Sequence, residues 1–127
     1  MNYQNNPKVS ILIPVYNGSN FIKQSIESAI AQTYDNIEIL VINDGSTDNG
    51  KTAEIVKTFG EKVKYIEKEN GGVASALNRG IEEATGEYIS WLSHDDIYLP
   101  NKIEKEIEAL NNLENKNTII FSNFELI

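Results

Sequence analysis

The chain has 127 residues, the size of one ordinary domain, and its 40% of hydrophobic residues is enough for a single core. A net charge of −8, from 19 acidic and 11 scattered basic residues, argues against a polyanion-binding surface and so against nucleic acid as a partner. Without cysteine, disulfides and thiolate metal sites are excluded, and a reducing compartment fits.

Met1 to Asn6 is polar and lacks an apolar signal core, and no run approaches the length that spans a bilayer. A soluble, cytoplasmic chain is expected, with membrane association left to a full-length protein. Residues 1–7 read as an extended or disordered tail and 8–127 as one domain.

Val9 to Val15 is a nearly continuous apolar run rich in β-branched residues, the pattern of a strand buried on both faces. After the polar turn Tyr16 to Asn20, Ile22, Ile26 and Ile30 recur at helical spacing, with Ser19 or Asn20 as the expected N-cap. Ile37 to Ile42 is a second strand, ending in the turn Asn43 to Asp48. Thr52, Ile55, Val56 and Phe59 then mark a helix face up to Gly60. Val63 to Glu67 is a shorter strand. Beyond Glu69-Asn70-Gly71-Gly72, a helix is predicted with Val73, Leu77, Ile81 and Ala84 as its apolar face and Gly86 as its stop.

Tyr88 to Leu92 is the fourth strand, and it runs into Ser93-His94-Asp95-Asp96. Pro100 suits the first position of a helix whose apolar face is Ile103, Ile107 and Leu110. Thr118 to Phe121 reads as a fifth strand. Strict alternation predicts a three-layer α/β/α domain with a mostly parallel, Rossmann-like sheet and right-handed crossovers. Phe121 to Ile127 is still apolar where the sequence stops, which reads as a domain truncated before a further half. An open edge of Phe121, Phe124 and Ile127 would allow pairing with a second copy.

The unusual residues fall at the carboxyl ends of the predicted strands, where open α/β sheets bind ligands. Tyr16 can stack on a flat base, and Asp44 can accept from a base N–H or a sugar hydroxyl. Gly71 and Gly72 let a ligand approach the backbone. Asp95 can hold a hard divalent ion whose other oxygens come from a diphosphate and water, which also offsets the chain's own negative charge. Each feature has a plain structural reading too: capping for the Asn43–Asp48 turn, core cover for Tyr16, and helix-dipole complementation for Asp95 and Asp96. His94 is a further candidate metal ligand.

Four segments in order resemble the inverting family 2 glycosyltransferases of the GT-A fold. They are Val9 to Gly18, Ile42 to Asp48, Asn70 to Val73 with Leu77 to Gly80, and Trp91 to Pro100. The resemblance covers nearly the whole chain from Lys8 onward and implies the half that binds a nucleotide-sugar donor, a UDP-sugar above all. It implies that Pro14, Val15, Tyr16 and Asn17 line the nucleotide pocket, with Tyr16 against the base. Asp44 would hydrogen-bond the base, with Ser46 beside it, and Asn70 and Gly71 would lie near the ribose and diphosphate.

Asp95 matches the second acid of the family's Asp-x-Asp motif and is the expected ligand of Mn²⁺ or Mg²⁺. Ser93 stands where the first acid is expected, and Asp96 is assigned as a helix cap or outer-shell residue. The implied reaction is sugar transfer to a saccharide or lipid-linked acceptor, as in cell-envelope polysaccharide synthesis. The catalytic base is expected beyond the end of this chain, so the fragment itself is expected to turn over little. Two other readings stand beside this one: a receiver-type Mg²⁺-binding signalling domain, and a non-catalytic nucleotide-sugar binding module. The receiver scheme wants an acidic pair where Tyr16-Asn17 stands.

Overall fold

The apolar run at the start of the sequence forms a central strand. In the computed structural model, which describes residues 6–112, β1 (Val9–Val15) is buried along its whole length. It pairs in parallel with β2 (Ile37–Asp44) on one side and β4 (Tyr88–Trp91) on the other, while β3 (Lys64–Lys68) lies outside β2. The order is β3-β2-β1-β4. This is the arrangement of dinucleotide-binding halves; receiver domains place β1 between β2 and β3. The topology therefore removes the receiver reading. The expected fifth strand and the edge of Phe121, Phe124 and Ile127 lie outside the described residues.

Side chains alternate along each strand, so β1 feeds two cores. Val9, Ile11, Ile13 and Val15 pack with Ile22, Ile26 and Ala29 of α1 (Ile22–Ile30), Val56 of α2 (Lys51–Lys57) and Ile103, Ile107 and Leu110 of α4 (Lys102–Asn111). Leu12 turns the other way, to Leu40, Ile42, Ile66 and Ala76 beneath α3 (Val73–Glu83). Each fully buried Ile or Leu contributes roughly 1.5–3 kcal/mol. The result is the predicted α/β architecture, a parallel four-stranded sheet between two helical layers.

Several local expectations change. α1 begins at Ile22 with Phe21 in the cap position and no side-chain cap, so neither Ser19 nor Asn20 caps it. The chain is already turning at Gly18, whose carbonyl accepts from Phe21 N (3.0 Å) and Ile22 N (2.9 Å). Ile30 is exposed, and Ser25 and Ala29 are buried instead, because steps of four drift off a 3.6-residue turn. In α3, Val73 and Ile81 are exposed and the buried positions are Ala76 and Gly80. A Cβ on Gly80 would lie 2.9 Å from Ile42 Cδ1 and 3.0 Å from Leu12 Cδ1, so the helix rests almost directly on the sheet. Pro100 lies ahead of α4, with Asn101 at the cap, and does not take its first position. Among the described residues no helix is long and apolar enough to cross a membrane.

Candidate functional site

The reversal of strand order between β1 and β4 opens a crevice at the carboxyl ends of the strands. A cleft of about 190 Å³ lies there, on the α3 side. Pro14, Val15 and Tyr16 enter from the end of β1, and Asp44 from the end of β2. Val73 and Ala76 form the α3 wall, and Trp91, Ser93 and His94 close the β4 side. Tyr16 is 44% exposed and Trp91 37%. Two aromatic rings thus stand at a largely apolar opening that also holds Asp44, Ser93 and His94, a surface suited to a flat ring with polar edges.

Asp44 is the most heavily engaged polar group here. Its side chain is nearly buried, and Lys68, its register partner in β3, places Nζ 3.0 Å from Oδ1. Gly71 N also donates to Oδ1 (3.0 Å), while Gly72 N (2.8 Å) and Asn70 Nδ2 (3.3 Å) donate to Oδ2. Burial alone would push the Asp44 carboxyl up. The Lys68 ammonium and the two loop N–H groups outweigh it and hold the pKa below the ordinary carboxylate value. A carboxylate offers about four acceptor positions, and all four are taken. Asn70 and Gly71 do not line the cleft; they anchor Asp44. The loop depends on glycine: Gly72 has φ +95°, and a Cβ on Gly45 would lie 2.6 Å from Asn70 N.

Asn17 and Ser46 also stand behind the cleft. Asn17 takes a left-handed conformation, φ 51°, which asparagine tolerates. Its N–H donates to Ser46 Oγ (2.9 Å) and its Oδ1 accepts from Thr47 N (2.7 Å), stitching the β1 loop to the β2 loop. Ser46 Oγ in turn donates to Asn43 Oδ1 (2.6 Å). Asp48 Oδ2 accepts from Thr52 N and Oγ1, starting α2.

At the end of β4, Ser93 Oγ donates to Asp95 Oδ1 at 2.9 Å. Asp95 and Asp96 are both exposed. Asp96 caps no helix, since α4 starts at Lys102; its N–H closes a turn onto Ser93 O (3.0 Å). His94 packs against Gly18, where an added Cβ would fall 2.5 Å from His94 Cδ2. Among the described residues no group of three or more His, Cys, Asp or Glu gathers around one point. A cation here would take Asp95 as its carboxylate from the protein, with Ser93 Oγ and His94 adjacent. That donor set fits a hard ion such as Mg²⁺ or Mn²⁺ that takes most of its oxygens from a phosphate and water.

Sequence reasoning missed four residues. One is Lys68, the last residue of β3. Ser25, Ser28 and Gln32 form a polar stripe on the inner side of α1 and its extension, and all three bond to the β4–α4 loop. Ser28 Oγ accepts from Tyr98 N (3.0 Å), and Gln32 donates to Leu99 O (2.8 Å) while accepting from Ile103 N (3.0 Å). The signal was present as hydroxyl and amide groups at helical spacing beside Ile22, Ile26 and Ala29.

The glycosyl transferase family 2 model matches residues 10–122. A Rickettsia felis protein named an uncharacterized glycosyltransferase is 60% identical over 121 residues, covering 95% of this chain and 20% of that protein. The chain spans from about a fifth to little more than a third of the curated relatives it matches most strongly. Staphylococcus aureus TarS 1–349, solved with UDP-GlcNAc, is 28% identical with a TM-score of 0.71, over 81% of this chain and 30% of that one. The mannosyltransferase PcManGT of Pyrobaculum calidifontis, solved with GDP-Man and Mn²⁺, is 25% identical with a TM-score of 0.70, over 87% and 33%. Sequence, strand order and the placement of the cleft agree: the chain belongs to glycosyl transferase family 2.

Proposed function

We propose that this domain holds a nucleoside-diphosphate sugar, a UDP-sugar in particular, together with Mn²⁺ or Mg²⁺, for inverting transfer of the sugar to an acceptor hydroxyl. The observation that carries the reading is the meeting of Tyr16, Asp44 and Ser93 on one cleft at the strand-order switch. The base stacks on Tyr16 between Pro14 and Val15. Its N–H reaches Asp44 by displacing Asn70 Nδ2, the longest of the four contacts at 3.3 Å. Gly71 and Gly72 keep the carboxylate aimed, and Asn17 with Ser46 fixes the floor of the site.

The diphosphate then lies toward Ser93 and Asp95, where the chain offers its cation ligand. When bound, the ion supplies Lewis-acid stabilisation of the departing diphosphate. No described residue is assigned as the base that takes the acceptor proton. The acceptor class proposed is a saccharide or a lipid-linked saccharide.

A thermal-shift panel of UDP, GDP and TDP, each with and without Mn²⁺, tests the reading. UDP with Mn²⁺ is expected to raise the melting temperature most. No response to any nucleotide overturns it, and a response to GDP alone overturns the uridine assignment.

A further inference from the structure

The turn that carries Ser93 and Asp95 is held from the opposite side of the sheet. Ser25 on α1 is fully buried, and its hydroxyl meets three backbone carbonyls of that turn. They belong to Ser93 (3.3 Å), His94 (2.7 Å) and Asp96, the last in a shorter contact. A serine hydroxyl has one proton to donate, so it satisfies one carbonyl at a time with the other two in reach.

Convergence of three carbonyls on one atom fixes which way the turn faces. With these oxygens inside, Asp95 is exposed and Ser93 Oγ reaches its Oδ1 at 2.9 Å. The neighbouring polar residues of the stripe hold the next stretch of chain and not the turn. Ser28 meets Tyr98, and Gln32 meets Leu99 and Ile103. Ser25 therefore has a separable task.

We propose that Ser25 is a positioning residue for Asp95, so that the cation affinity of the donor site is set by a side chain on the far face of the sheet. The proposal rests on the donor-site reading above. Without the hydroxyl, three inward carbonyls lose their shared donor, and the turn relaxes toward water. Asp95 then leaves the direction in which a diphosphate-bound cation can meet it. A group that orients a metal ligand without touching the metal typically changes affinity 10- to 100-fold when removed.

The test is calorimetric titration of UDP in chelator and in Mn²⁺, with Mn²⁺ binding followed by electron paramagnetic resonance. The proteins are the unsubstituted chain, Ser25→Ala and Ser28→Ala. Ser25→Ala is expected to lower Mn²⁺ affinity in the presence of UDP by about 10- to 100-fold, with metal-free UDP affinity unchanged. Ser28→Ala is expected to lower the melting temperature and leave Mn²⁺ affinity intact. If Ser25→Ala does not fold, Ser25→Cys keeps the size with a weaker donor and is expected to give a smaller loss of the same kind. Unchanged Mn²⁺ affinity in the Ser25 variant, or an equal loss in Ser28→Ala, overturns the proposal. UDP binding by the unsubstituted chain that gains nothing from Mn²⁺ overturns the metal assignment and this inference together. No UDP binding at all overturns the donor-site reading itself.

Discussion

The Lys68 ammonium lies 3.0 Å from Oδ1 of Asp44, its register partner across β2 and β3, with side chains only 14% and 6% exposed. This pair joins strand to loop, because the same carboxylate receives the N–H groups of Gly71 and Gly72. Asp44→Asn removes the charge and turns one acceptor into a donor facing donors. The expected cost is about 2 kcal/mol, less than for a fully buried pair because Lys68 retains some solvent. Urea unfolding measures it.

The same carboxylate gives a pH signature. The Asp44 pKa is held below the ordinary 3.8, since Lys68 and the loop N–H groups outweigh burial. A group with a depressed folded pKa contributes stability that is complete above its unfolded value and fades as pH falls through the folded one. The urea midpoint is expected to start falling below about pH 5 and to go on falling as pH passes through the depressed folded pKa. Glu38, also held low against burial by Ser10, Thr85 and Lys8, contributes to that drop, so the informative quantity is the difference between proteins. Asp44→Asn should show a shallower fall. An equal slope would mean that Asp44 is not the group that titrates.

Tyr16 separates stacking from hydrogen bonding. Its hydroxyl is 3.5 Å from Thr47 Oγ1, too long to contribute much, while its ring lines the cleft. Tyr16→Phe should bind UDP as the unsubstituted protein does. Tyr16→Ala should lose about 1–3 kcal/mol of binding, the usual range for a base stacked on an aromatic ring. Calorimetry distinguishes the two, and equal losses would assign the role to the hydroxyl.

Asp95 is exposed and, among the described residues, bonds only locally, to Ser93 Oγ, so its substitution should leave folding almost unchanged. Asp95→Ala is expected to abolish the Mn²⁺-dependent part of UDP binding and to keep the melting temperature. A variant that binds Mn²⁺ and UDP normally would move the cation to other ligands, His94 first among them.

Gly80 tests the platform rather than the site. Gly80→Val drives a branched side chain into Ile42 and Leu12, at an expected cost of about 1–3 kcal/mol. UDP affinity of the folded fraction should stay within about twofold, since Gly80 lies one turn beyond the α3 residues that wall the cleft.

Much of this was legible from the chain because long-range order followed local pattern. The run Val9–Val15 read as a strand buried on both faces, as it is, and strand–helix alternation then placed Tyr16, Asp44 and Ser93 on one edge. Where burial is achieved by small or polar residues, the pattern marks only part of the buried face: Ile22, Ile26, Leu77 and Ala84 do meet the core, while Ile30, Val73 and Ile81 do not. α3 turns Ala76 and Gly80 inward and leaves Val73 and Ile81 exposed, because close approach to the sheet rewards small side chains that no hydrophobic periodicity marks. α1 buries Ser25, and Gln32, two residues past its end, is buried too, because backbone groups of the β4–α4 loop lie against them. Asp44 was expected to await a ligand; that it would meet Lys68 depended on β2–β3 register, which one sequence does not display.

β1 is hydrogen-bonded on both sides, with Val15 opposite Asn43 and Leu12 opposite Trp91. Its seven residues thereby act as a ruler for the heights at which three separate loops leave the sheet. One residue inserted in β1 would turn Tyr16 to the opposite face and shift it by about 3.3 Å along the strand, away from Asp44. One residue inserted within Gly60–Lys62, the exposed turn between α2 and β3, would alter none of those heights. The chain is therefore unforgiving of length in the strand that measures and permissive in a turn that only joins.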